Sequence, residues 1–185
     1  NKNDSNQKYY SCIAESCNYS FYPENITRIF FSEDNDGLFN TTIINFLFKK
    51  ITIPDFVKSI FSYTFYDFYL LTEIKIPFGV KYIHNRSFYG CASLIEICLP
   101  NSLESIGESA FEGCLSLTNI TIPSSVFAIE CSAFMNCEKL NQVSIESSLE
   151  IIDEYVFSGC SSLTQITIPS SVISIGNSAF FLCSS

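Results

Sequence analysis

The sequence predicts an α/β solenoid, with a parallel β-sheet along one side of a coil and irregular or short-helical segments along the other. The first observation behind this is a phenylalanine at Phe65, Phe88, Phe111, Phe134, Phe157 and Phe180, a constant step of 23 residues. The second is a parallel column three residues on, Phe68, Cys91, Cys114, Cys137, Cys160 and Cys183. The third is an alternating I-x-I segment closed by proline that recurs at the same step. Self-similarity at a fixed period of this size is the mark of stacked supersecondary units.

Each unit starts on Phe48, Leu71, Leu94, Leu117, Leu140 or Leu163. Ile51, Ile74, Ile97, Ile120, Val143 and Ile166 follow, then Ile53, Ile76, Leu99, Ile122, Ile145 and Ile168. Side chains alternate across a strand, so both columns face a core and the residue between them faces out. Pro54, Pro77, Pro100, Pro123 and Pro169 then end the strand, because proline has no N–H to give to a ladder. Glu146 is the one exception. The return path carries two more apolar columns, Val57, Val80, Leu103, Val126, Leu149, Val172 and Ile60, Ile83, Ile106, Ile129, Ile152, Ile175. One coil cannot bury this set; coils stacked at about 4.8 Å can.

Six such units fill residues 48–185 without an insertion. Residues 26–47 read as a degraded unit, with Ile26, Ile29, Phe31, Leu38, Ile43 and Phe46 in its columns, and residues 1–25 as an amino-terminal cap. At the other end the chain stops where the leucine of a further unit is due, which leaves apolar columns open. The expectation is a repeat array truncated there, or an end covered by another chain.

Composition narrows the function classes. Nineteen acidic against ten basic side chains, a net charge of −9, lack the basic face that phosphates require, so no nucleic acid is expected as a partner. The densest apolar stretch, 43–60, is broken by Lys49, Lys50, Pro54, Asp55 and Lys58, so no membrane insertion is expected in this segment. The segment SEDNDG at 32–37 resembles the start of a calcium loop, but its twelfth position is Ile43 rather than a glutamate, and it reads as a solvated turn. His84 falls in a column with Gly107, Glu130, Asp153 and Gly176 and reads as an exposed turn. Without a catalytic motif, metal-ligand cluster or cofactor fingerprint, an enzyme is not expected, nor a cofactor.

Five of the nine cysteines form the ladder. A slot that takes Phe68 in place of cysteine is an apolar packing slot, so these read as buried free thiols, although stacked spacing of about 4.8 Å lies within reach of a bridge. Cys12 and Cys17 are the possible disulfide, a staple of the cap in an oxidising compartment. The N-x-S/T sequons at Asn3, Asn18, Asn25, Asn40, Asn85 and Asn119 exceed what composition would give and hint at secretion. Asn119 lies on the strand's outward side, where a glycan and a bound protein would compete.

Two stretches, LTNITIPSSVFAIECSAFMNC at 117–137 and LTQITIPSSVISIGNSAF at 163–180, make the chain resemble the BspA-like, Treponema-type leucine-rich repeat family. The resemblance implies a right-handed coil with a concave parallel sheet, used for binding protein or matrix at the surface of bacteria or parasitic protists. It implies no shared active site. The leading expectation is thus a non-enzymatic protein-binding or adhesion module of a surface or secreted protein; the alternative is an intracellular scaffold, cytoskeletal or regulatory, with reduced buried cysteines. On a concave face the contact residues would be Lys49, Lys50, Thr52, Thr72, Glu73, Lys75, Ile95, Glu96, Cys98, Thr118, Asn119 and Thr121, continuing through Asn141, Gln142, Ser144, Thr164, Gln165 and Thr167. Charge concentrates in the first three units, which favours that half for a specific contact. Contact on the convex side or at the ends is the alternative.

Overall fold

The computed structural model describes residues 48–183 together with the backbone of two earlier strands, β1 (Tyr9–Ile13) and β2 (Arg28–Ser32). These two pair antiparallel, Cys12 opposite Ile29, and β1 lies alongside the first strand of the repeats. The Cys12 and Cys17 side chains, the sequons at Asn3, Asn18, Asn25 and Asn40, and the 32–37 turn lie outside the described residues.

Every unit contributes two strands. The I-x-I segments form β3 (Lys50–Thr52), β5 (Glu73–Lys75), β7 (Glu96–Cys98), β9 (Asn119–Ile122), β11 (Gln142–Ile145) and β13 (Gln165–Thr167). All pairing among them is parallel, with like residues of successive units in register, such as Ile51 with Ile74 and Val143 with Ile166. The expected parallel sheet is therefore present, and proline follows the strand in every unit but the one that carries Glu146.

The return path holds a second parallel ladder that the periodicity did not reveal. Its strands are two residues long: β4 (Ser59–Ile60), β6 (Tyr82–Ile83), β8 (Ser105–Ile106), β10 (Ala128–Ile129), β12 (Ile151–Ile152) and β14 (Ser174–Ile175). A short hydrogen-bonded turn feeds each one except β12, the valine or leucine N–H donating to the proline carbonyl, as in Val57 to Pro54 (3.1 Å) and Val126 to Pro123 (3.0 Å). The described residues include no helix, so the second side takes the irregular form of the two expected.

The remainder of each unit is a run of turns with two left-handed residues. One column is Tyr63, Arg86, Ser109, Ser132, Tyr155 and Ser178, with φ between 53° and 63°. The other is Asp67, Gly90, Gly113, Asn136, Gly159 and Leu182, mostly the residue types that tolerate this conformation. The turned peptides aim their N–H groups at the next unit: Phe65 donates to Ser87 (2.7 Å), Phe111 to Ala133 (2.8 Å) and Phe134 to Val156 (2.9 Å). This third ladder runs through every described boundary.

Inside lie the columns. Phe65 to Phe157 are fully buried and stack, with centroids 5.0–5.6 Å apart and planes within 18°. Burying each ring is worth about 1.5–3 kcal/mol before ordering entropy is subtracted. The cysteine column does more than fill space. Each thiol donates to the carbonyl of the phenylalanine one unit back, Cys91 to Phe65 (3.2 Å), Cys114 to Phe88 (3.4 Å), Cys137 to Phe111 (3.3 Å), Cys160 to Phe134 (3.3 Å) and Cys183 to Phe157 (3.1 Å). All five are free thiols. In the last described unit two of the apolar columns meet solvent: Ile168 and Ile175 are exposed.

The two strand ladders break at different places. The first-strand ladder is interrupted between β7 and β9, and the second-strand ladder between β10 and β12.

Candidate functional site

The first-strand face places the residues singled out from sequence side by side. Lys49, Lys50, Thr52, Glu73, Lys75, Ile95, Glu96, Cys98, Asn119 and Thr121 are exposed, while Thr72 and Thr118 are half-buried. Parallel register sets Glu73 between Lys50 and Glu96, and Lys75 between Thr52 and Cys98. The Lys50 ammonium and the Glu73 carboxylate pair at 2.7 Å. This pair is open to water and worth at most about 1 kcal/mol, so it organises the surface more than it stabilises the fold.

The threonines just before β5, β9 and β13 bond to the backbone of the preceding unit. Thr72 donates to the Lys49 carbonyl (2.9 Å), Thr118 to Ile95 (3.3 Å) and Thr164 to Asn141 (3.3 Å). Asn119 stays exposed on β9 and donates to the Thr118 hydroxyl at 3.1 Å. From Asn119 onward the outward side chains of the face carry hydroxyls and amides, so its charge lies in the first three units.

A second polar array on the second-strand side escaped the sequence reading. Glu104 accepts from Lys81 (2.6 Å) and from the Tyr82 hydroxyl (2.9 Å). Those hydrogen bonds hold its carboxyl below the ordinary value and push Lys81 up. Arg86 reaches Glu108 (3.3 Å) and donates to the Tyr63 hydroxyl (3.2 Å). The available signal was the column Lys58, Lys81, Glu104, Phe127, Glu150, Ile173, in which opposite charges stand one repeat apart.

His84 is half-buried rather than exposed, because its ring stacks on Phe61 (centroids 5.6 Å, planes 3° apart) and leans on Tyr82. Its backbone N–H donates to Ile60 and its carbonyl accepts from the Ser87 hydroxyl. The residue packs and links units.

The ladder thiols are chemically quiet. Burial pushes Cys91, Cys114 and Cys137 far above the ordinary thiol range and Cys160 up to about 12. Thiols held protonated this way are poor nucleophiles and poor metal ligands. Cys98, on the first-strand face, is exposed.

Comparison with known proteins agrees with this geometry. Residues 58–185 match six copies of the BspA type leucine-rich repeat region. A leucine-rich repeat protein of Bacteroides ovatus superposes with a TM-score of 0.71 at 39% identity, over 74% of this chain and 35% of its own. A Treponema pallidum leucine-rich repeat protein gives 0.61 at 25% identity, over 69% of this chain and 73% of its own. A leucine-rich cell surface protein of Faecalibacterium prausnitzii gives 0.60 at 32% identity, over 70% of this chain and 32% of its own. The chain thus spans about a third of the Bacteroides and Faecalibacterium proteins. No curated protein matches it. With six tandem matches, a stacked Phe ladder buried from Phe65 to Phe157 and parallel strands in like-to-like register, the chain belongs to the BspA-type leucine-rich repeat family.

Proposed function

We propose that the chain is a non-enzymatic protein-binding module of a cell-surface or secreted protein, and that it engages its partner through the charged half of the first-strand face. The observation that carries this reading is the arrangement of Lys49, Lys50, Glu73, Lys75 and Glu96. All five are exposed and stand on β3, β5 and β7, or immediately before, over a core that fixes their spacing. A rigid backbone presenting mixed charges at unit spacing limits the entropy lost on association and selects partners by charge pattern. The Faecalibacterium protein, described as a cell surface protein, supports that setting.

The test is a pull-down from host or matrix extract with wild type and a Lys49→Glu/Lys50→Glu/Lys75→Glu variant. Loss of the recovered partner is expected; unchanged recovery overturns the assignment of this face. An intracellular scaffold is the second reading, favoured by the free, carbonyl-bonded ladder thiols. Intact-mass analysis of native protein separates the two: N-glycans at sequons such as Asn85 or Asn119, with a Cys12–Cys17 bridge, support the surface reading, and nine free thiols without glycan support the scaffold.

A further inference from the structure

The break in the second-strand ladder coincides with the one departure from the proline column. Glu146 stands where the other strands are followed by proline, and its N–H donates to the Ile122 carbonyl (2.9 Å), so the first-strand pairing runs one residue further. The turn that follows proline elsewhere, with Leu103 donating to Pro100 or Val172 to Pro169, has no equivalent between Leu149 and Glu146. Burial changes locally: Ser147 is buried here, whereas Ser124 at the same place in the preceding unit is exposed, while Leu149 and Ile152 keep the buried places of Val126 and Ile129.

The consequence is a cleft of about 460 Å³ between units four and five. One wall carries Phe127, Ile129 and Glu130, the other Glu150, Ile151 and Asp153. At neighbouring boundaries this place is closed by backbone bonds, Glu104 N–H to Lys81 and Gly107 N–H to Ile83, then Phe127 to Glu104 and Glu130 to Ile106, and later Ile173 to Glu150 and Gly176 to Ile152. The corresponding bonds from Glu150 to Phe127 and from Asp153 to Ile129 are not made. Yet the same two units stay joined on either side of the cleft, by β9 with β11 and by Ser132 and Phe134 donating to Glu154 and Val156. The opening is a held gap in an otherwise bonded stack.

We propose that this cleft is a docking groove for an extended, basic polypeptide segment. Open strand edges on both walls offer the backbone pairing that an added strand uses. Phe127 and Ile151, 66% and 53% exposed, supply apolar contacts for such a segment. Glu130, Glu150 and Asp153 line the same cleft and supply negative charge. Among the described residues the Glu130 carboxylate accepts from the Glu108 N–H (3.0 Å) and the Asp153 carboxylate from the Glu154 N–H (2.7 Å). None of the three joins the ion pairs among the described residues, Lys50–Glu73, Lys81–Glu104 and Arg86–Glu108. A segment that mixes apolar residues with lysine or arginine complements both sets.

The probe is a (Lys-Val)4 peptide titrated into the isotopically labelled chain, followed by amide chemical shifts and by fluorescence anisotropy of the labelled peptide. Shifts clustered at 127–130 and 148–153 are expected, with no response to (Glu-Val)4 and a clearly weaker one to (Lys-Pro)4, whose prolines remove the N–H groups along one of the two strand edges. A Glu130→Gln/Glu150→Gln/Asp153→Asn variant is expected to weaken binding about tenfold or more. Glu146→Pro is expected to restore the turn, close the groove and abolish binding; should that variant not fold, the surface neutralisation still decides. Equal binding of (Lys-Pro)4, undiminished binding by the neutralised variant, or shifts confined to the first-strand face would overturn the proposal. These readouts are independent of the pull-down that tests the first-strand face.

Discussion

The boundary between units three and four and the boundary between units four and five are built on the same columns and are bonded in complementary ways. At the first, the second-strand ladder continues from β8 to β10 while β7 and β9 lie side by side without a shared ladder, joined by the Thr118 N–H to the Ile95 carbonyl (3.1 Å). At the second, β9 and β11 pair over four residues while β10 and β12 do not pair. Both boundaries keep the Phe stack, at 5.2 Å for Phe111–Phe134 and 5.6 Å for Phe134–Phe157, and both keep the turn ladder. Either strand ladder is thus dispensable at a given boundary, whereas the core and the left-handed turns are common to all. That redundancy is what lets the stack hold an open groove.

Core truncation tests this most severely. Phe134→Ala removes a fully buried ring shared by units four and five and is expected to cost about 3–5 kcal/mol in urea unfolding. Nearest-neighbour coupling governs repeat arrays, so units five and six are also expected to lose amide protection before units one to four. Phe88→Ala deletes the same ring where both strand ladders are intact, and a single cooperative transition is expected. If the two variants unfold alike, the missing ladder carries no energetic weight.

The thiol ladder comes next. Cys137→Ala removes one of the two donors to the buried Phe111 carbonyl, which keeps the Cys114 N–H (3.2 Å), and is expected to cost about 1 kcal/mol, whereas Cys183→Ala, half-buried in the last unit, is expected to cost clearly less. Equal costs would mean that packing volume, rather than the sulfur-to-carbonyl bond, sets the column.

Transplanting the irregularity is a milder change. Pro123→Glu removes the turn closed by Val126 and is expected to cost about 1 kcal/mol. Hydrogen exchange should accelerate at Phe127 and Glu130, whose N–H groups bond to Glu104 and Ile106. Unaltered exchange there would break the link drawn between Glu146 and the groove.

The smallest effect concerns the side-chain link between units two and three, which has no equivalent where Phe127 faces Glu150. Glu104 is held below its ordinary value of 4.5 by the Lys81 and Tyr82 hydrogen bonds. Its contribution is therefore complete above that value and is lost as pH falls through the lower, folded-state value. Glu104→Gln should flatten that part of the stability profile, a difference readable by acid titration of the unfolding midpoint. An unchanged acid limb would place the pH dependence elsewhere.

Much of this architecture was legible before any coordinates. A constant step named the inward columns, proline marked the strand ends, and alternation picked out the outward residues, because a residue's side of a strand follows from its parity alone. Glu146 stood out as the lone exception to the proline column, but its effect could not be read, since a missing turn changes backbone hydrogen bonding rather than residue type. The cysteine slot looked purely apolar because Phe68 shares it. What a column cannot show is which atom of the neighbouring unit lies within reach of the sulfur.

By itself the sequence determined the period, the composition of the core, the first-strand ladder and the family. Only the tertiary structure decided the second ladder, the thiol-to-carbonyl bonds, the stacking of His84 on Phe61 and the groove between units four and five. The division has a physical cause. Burial is a property of each residue's place within its own unit and repeats with it, whereas hydrogen bonds between units depend on the axial spacing and turn phase of two units at once.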